Sequence, residues 1–117
     1  VNLQYGETKD EIDNIRNNYG INILEINEVD IFNNIDDFSS IINCCDDIVS
    51  IDNVTAVLAG AIGANCHLLL QSNSHWYWGI NDNTSYWLPS LKLYRQKNLK
   101  SWKETLESIK EKIKSDN

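Results

Sequence analysis

Asp52, Asn53, Thr55 and Ala56 stand where a strand should turn into a helix, a spacing suited to holding an anion. They lie in DDIVSIDNVTAVLAGAIG, residues 46–63. Ile48-Val49-Ser50-Ile51 is an apolar, β-branched run that suits a buried parallel strand. Asp52 and Asn53 are turn formers and helix N-cap candidates, and the small-residue run from Val54 to Ile62 reads as a helix that Gly63 stops. Ala56, Ala59, Gly60 and Ala61 keep that helix thin enough to approach a sheet closely. A strand, a tight turn and a helix aim unpaired backbone N–H groups and a positive helix end at one spot, which suits a phosphate.

Each candidate has two readings. Asp52 either accepts a sugar or ribose hydroxyl or caps the helix by accepting the N–H groups of Val54 and Thr55. A carboxylate in the cap seat competes with a phosphate for the same donors, which favours the cap. Thr55 either donates its hydroxyl to a phosphate or bonds back into its own first turn. Trp76 and Trp78 either stack on a sugar or base or pin a long loop to the core, and pinning is the commoner outcome. Arg95 closes an apolar run and pairs with a phosphate or with a surface acid. His67 lies inside an apolar strand and reads as a satisfied core residue. His75 falls near the strand ends but has no carboxylate near it in sequence to orient it as a base. No residue is assigned a catalytic role. The chain has no metal-ligand spacing, nucleophile elbow, P-loop or GxGxxG.

These residues need elements to position them. A strand is expected at residues 1–5, then a capping box from Thr8 to Glu11 and a helix carrying Ile12, Ile15 and Tyr19 to a stop at Gly20. A strand follows at 21–26. Asp36 is expected to cap a helix with Phe38, Ile41, Ile42 and Cys45 on one stripe. After the central unit come a strand at 66–70, an aromatic loop at 71–90 holding three of the four tryptophans, and a strand at 91–95. Ser101 to Glu104 is a second capping box, for a helix with Trp102, Leu106, Ile109 and Ile113 facing inward and a tail fraying from Ser115. Strands alternating with helices predict an α/β fold with a parallel sheet, whose ligands bind outside the carboxyl ends of the strands.

Length and composition set the limits. The 117 residues suit a single domain, and 42% hydrophobic content supports a core. The absence of a starting methionine suggests a fragment of a longer protein. No run approaches the roughly 18 apolar residues of a membrane helix. A net charge of −7 argues against nucleic-acid binding. Cys44, Cys45 and Cys66 read as reduced packing residues of a cytosolic protein.

Along nearly its whole length the chain resembles one family. The carriers are LQYG, the run from Asp30 to Gly63, LLL, HWYW, WLPSLKLYRQ and a tryptophan-led final helix. The most specific part is Asp52-Asn53-x-Thr55-Ala56-x-Leu58-Ala59-Gly60. This resembles the C-terminal, donor-side half of the GT-B glycosyltransferases linked to tetratricopeptide repeats, relatives of the ADP-heptose lipopolysaccharide heptosyltransferases. The resemblance implies a Rossmann-like domain that binds a nucleoside-diphosphate sugar as substrate, with no bound cofactor or metal. Asp52, Asn53, Thr55, Ala56, Trp76 and Arg95 would line the donor site. The acceptor and catalytic base would come from an N-terminal acceptor and repeat region of the same protein, so the chain alone should lack transferase activity. Val57 stands where the family has a histidine, Val54 where it has Ser or Thr, Gln71 where it has Pro, and His75-Trp76-Tyr77-Trp78 replaces Asp-Trp-Arg-Trp. Those departures suit a degenerate, non-catalytic binding or scaffold module as the alternative. In the Rossmann strand order a first strand preceding Val1 would sit between the strands at Leu3 and Ile48. Its absence predicts either direct pairing of those two strands or self-association through exposed sheet edges.

Overall fold

A computed structural model describes residues 1–116, which form two compact units that divide between Phe38 and Ser39. In the first unit, helix α1 (Lys9–Tyr19) buries Ile12 and ends at Gly20, whose amide donates to the Arg16 carbonyl at 3.0 Å. Tyr19, expected inward, is exposed. The Thr8 hydroxyl makes no cap bond and accepts instead from the Asn2 side chain at 2.9 Å. The ring of Tyr5 packs edge-on against Phe32 and Phe38 at 5.0 and 5.8 Å.

The strands expected at 1–5 and 21–26 do not form. The two segments meet through Asn2 N–H to Leu24 C=O at 2.8 Å and build no ladder. Their apolar residues satisfy strand propensity, but a strand exists only with a paired neighbour, and propensity is silent about neighbours. With no strand at Leu3, the expectation that such a strand pairs with the one at Ile48 loses its premise.

Helix α2 (Ile35–Asn43) starts earlier than expected: Asn34, not Asp36, supplies the cap, its Oδ1 accepting the Asp37 amide at 3.1 Å. Phe38 and Ile42 are buried with Ile41 and Cys45 half-covered, as the stripe requires. Cys66 is also buried, which pushes its thiol up to about 12, whereas Cys44 is exposed and packs nothing.

The second unit is built on a three-stranded parallel sheet in the order β1-β2-β3: β1 (Ile48–Ile51), β2 (Cys66–Leu70) and β3 (Leu91–Arg95). All three strands lie where the sequence places them. The fold is a Rossmann-like α/β arrangement with flanking helices, and among the described residues no helix is long and apolar enough to cross a membrane.

Helix α3 (Val54–Ala61) crosses from β1 to β2 and buries Thr55, Ala56 and Ala59. It lies so close that a Cβ on Gly60 would stand 2.8 Å from Leu88 Cβ and 3.1 Å from Leu91 Cγ. Gly63 (φ 76°) closes it in the left-handed region, its amide on the Gly60 carbonyl and that of Ala64 on Ala59, the paired bonds of a Schellman stop.

Helix α4 (Lys103–Asp116) buries Ile109 and, in place of the expected Leu106, Thr105, whose hydroxyl reaches the Arg95 carbonyl at 3.5 Å. The Ser101 hydroxyl accepts the Lys103 amide at 3.2 Å rather than closing a capping box onto Glu104. The helix continues through Ser115 and Asp116, where fraying was expected; Asn117 lies outside the described residues. Asp116 explains the extra length, since it accepts from Lys112 at 2.8 Å and from Lys92 of β3 at 3.1 Å.

Those two donors, Lys112 first, hold the Asp116 carboxyl down at about 2. A depressed carboxyl pKa stabilises the folded arrangement above the ordinary value of 3.8 and ceases to as pH falls through about 2. The last turn of α4 should therefore lose helical 13Cα shifts across that acid window, and Asp116→Asn should show the loss at neutral pH. Unchanged shifts down to the bottom of the window would refute the tether.

Candidate functional site

The carboxyl ends of the three strands deliver one group of side chains. At the end of β1, Asn53 and not Asp52 caps α3: its Oδ1 accepts the Ala56 amide at 3.2 Å and the Ser50 hydroxyl at 3.0 Å. The extended backbone at Asn53 (φ −151°) suits a cap residue, and an amide oxygen fills the seat without bringing charge. The expectation that Asp52 caps by accepting the Val54 and Thr55 amides is thereby corrected. Among the described residues no acceptor is seen for those two amides, as expected of the first turn of a helix. Thr55 is 2% exposed, and its hydroxyl has no partner either. It does not bond back into its own turn.

Asp52 turns toward the aromatic loop. Its Oδ1 lies 3.5 Å from the Tyr77 hydroxyl and its Oδ2 4.0 Å from His75 Nε2. Burial first, and the Asp52 charge second, push the Tyr77 phenol up from its ordinary range. The His75 and Tyr77 rings stack at 5.3 Å, only 9° from parallel. The sequence reading gave His75 no carboxylate; β1 and β2 being adjacent parallel strands, the fold brings one to it from more than twenty positions away. Tyr77, marked in the sequence only as a departure from the family pattern, was given no site role for the same reason.

The loop is pinned by one of its tryptophans. Residues 76–78 form a single 3-10 turn in which Trp78 is 3% exposed while Trp76 is 82% exposed. Pinning therefore falls to Trp78, and Trp76 presents a free aromatic face. Among the described residues the buried Trp78 indole N–H finds no acceptor. Arg95 pairs with no acid among the described residues: its guanidinium donates to Ser74 Oγ at 2.8 Å and to the carbonyls of Trp78 and Gly79 at 2.6 and 3.0 Å, while its Nε is buried without a partner.

The amino end of the sheet carries a different polar group. His67 is fully buried, as a satisfied core histidine should be, with Nε2 3.1 Å from Asp47 Oδ1 and Nδ1 3.0 Å from the Tyr94 hydroxyl. Asn65 donates to the same Asp47 oxygen at 2.6 Å. Every ring nitrogen is used here, which leaves nothing to offer a ligand. Among the described residues no group of three or more His, Cys, Asp or Glu side chains is placed to hold a metal ion.

No family model and no solved structure matches this chain. Over 107 residues it is 28% identical to protein FlbA of Caulobacter vibrioides, a match that takes in 91% of this chain and 17% of that protein. The chain thus corresponds to less than a fifth of that relative's length.

The cap assignment separates two neighbours. Asn53→Ala should lower the unfolding free energy by about 1 kcal/mol, since it strips the Ala56 amide of its acceptor. Asp52→Ala should stay within about 0.5 kcal/mol of wild type, as for a surface change away from any cap. Urea unfolding of the two variants decides this, and the reverse ranking would return the cap to Asp52.

Proposed function

We propose that residues 39–117 are the donor-binding part of a GT-B-type glycosyltransferase that uses a nucleoside-diphosphate sugar in the cytosol. The observation that carries this is a pair of buried donors without acceptors beyond the carboxyl ends of β1 and β2. Thr55 Oγ1 follows β1 and Trp78 Nε1 follows β2. Leaving such a group unsatisfied costs about 1–3 kcal/mol, so two beyond the ends of neighbouring strands point to a ligand rich in acceptor oxygens. The amino end of α3 adds two uncommitted amides and the positive end of a helix. A diphosphate fits that chemistry.

In this reading the Val54 and Thr55 amides hold the phosphate, and the Thr55 hydroxyl adds a third bond. The same donors stabilise the charge that grows on the diphosphate as the sugar leaves, a role that preorganised N–H groups perform without rearranging. Asp52, held off the cap, is free to accept a sugar hydroxyl, and the exposed face of Trp76 offers a ring to stack on. The acceptor and the base that activates it belong to the rest of the protein, including a tetratricopeptide-repeat region.

Calorimetric titration with several nucleoside diphosphates tests the reading. Thr55→Val keeps the shape and deletes the unsatisfied hydroxyl, so it should raise stability by about 1 kcal/mol and weaken diphosphate binding by about 0.5–1.5 kcal/mol. Failure of the wild-type protein to bind any of them would remove the donor-site reading.

A second reading, a non-catalytic interaction module, is favoured by the edge position of β1 in the sheet. Val49 and Ile51 project from one face of that edge strand and are 48% and 59% exposed, and α3 has no charged residue on its outer side. Two copies pairing antiparallel about a two-fold axis at Ser50 would set Val49 of one opposite Ile51 of the other on the same face. Sedimentation should then show a concentration-dependent dimer that Ile51→Lys abolishes. A monomer throughout the micromolar range would remove this alternative.

A further inference from the structure

Arg95 touches the aromatic loop at two places, and those places bracket the residues that face Asp52. Nη1 holds Ser74, one position before His75; Nη2 holds the carbonyls of Trp78 and Gly79, directly after Tyr77. Between them lie His75 and Tyr77, the two side chains that approach the Asp52 carboxylate. The base of the clamp is firm: Arg95 closes β3, the next amide, Gln96, donates to the Leu70 carbonyl of β2 at 2.8 Å, and Thr105 of α4 donates to the Arg95 carbonyl. None of the ion pairs among the described residues includes Arg95, so its charge is spent on loop oxygens. A planar fork can hold three acceptors in fixed directions, which a lysine ammonium on a flexible stem cannot reproduce.

We propose that Arg95 is a positioning residue, a latch that sets residues 75–77 against Asp52, and not a phosphate ligand. The proposal rests on reading the carboxyl end of the sheet as the ligand site, but the latch itself can be tested without ligand. Three bonds from a charged donor hold the loop closed, and local opening of a loop is governed by the few bonds that close it.

The experiment follows chymotryptic cleavage of the loop, whose Trp76, Tyr77, Tyr86 and Trp87 are sites for that protease, alongside far-UV circular dichroism of the sheet. Arg95→Ala should speed cleavage by roughly tenfold or more, and Ser74→Ala, which removes one bond and no charge, by a few-fold. Arg95→Lys should behave like Arg95→Ala despite keeping the charge. Millimolar guanidinium, but not ammonium, should restore protection to Arg95→Ala, a rescue that a general loss of packing would not show. If Arg95→Ala does not fold, Ser74→Ala and Arg95→Lys decide the matter. Wild-type cleavage rates in Ser74→Ala and Arg95→Lys would overturn the latch. So would diphosphate binding lost in Arg95→Lys while the loop stays protected, since that marks a direct ligand. Latch-dependent protection in a protein that binds no nucleoside diphosphate would support the latch and remove only the donor-site reading.

Discussion

One imidazole ties the sheet together. His67 on β2 reaches Asp47, which leads into β1, and Tyr94 on β3, so a single side chain spans all three strands. With Nε2–H donated to the carboxylate, Nδ1 is left to accept the Tyr94 hydroxyl, and both nitrogens are satisfied without water. Register follows from this. A one-residue slip of either neighbour would turn its partner group to the opposite face and strand a polar ring in the core. The cross-strand pairing of Val49 with His67 and of His67 with Lys92 is therefore fixed by polar geometry as well as by apolar packing. Tyr94 carries the constraint outward, since it lies close enough to Lys112 and Asp116 of α4 to feel their charges, although burial is what chiefly raises its phenol.

The elements of the second unit were legible because each announces itself locally. IVSI, CHLLL and LKLYR are short apolar runs with turn formers on both sides, and α3 is bounded by Asn53 and Gly63. What could not be read depends on which segments become neighbours. Residues 21–26 look no less like a strand than 66–70 do, yet only the latter gains partners on both sides. Asp52 and Asn53 are both good caps in isolation. The choice between them turns on Ser50 and Ala56, which Asn53 can engage together, and on Tyr77 and His75, which draw Asp52 away. Arg95 looked like an anion ligand because its position at a strand end was readable, whereas the oxygens of Ser74, Trp78 and Gly79 that occupy it were not.

The two ends of the sheet are finished differently. At the amino end the charged and polar groups form a closed set in which Asp47, Asn65, His67 and Tyr94 answer one another. At the carboxyl end, donors are buried without acceptors, and a helix begins with free amides. A fold gains nothing by leaving such groups unsatisfied, and an apolar replacement of similar shape would serve packing better at Thr55. Under the proposed donor-site reading, a ligand that supplies the missing acceptors would recover that deficit on arrival.

Asp52 sharpens that argument. A carboxylate in the cap seat would satisfy the first-turn amides itself and repel any phosphate approaching them. With a neutral cap at Asn53 and the acid turned toward Tyr77 and His75, the positive end of α3 stays open while a negative group waits beside it. Such a neighbour favours ligands that combine an anion with hydroxyl donors over those that are anionic throughout, because the carboxylate can accept from the first and only repel the second. A sugar attached to a diphosphate has that combination; inorganic polyphosphate lacks it. The orientation of Asp52 thus bears on which anion the helix end would hold, and that orientation depends on a loop fastened by Arg95 on the far strand.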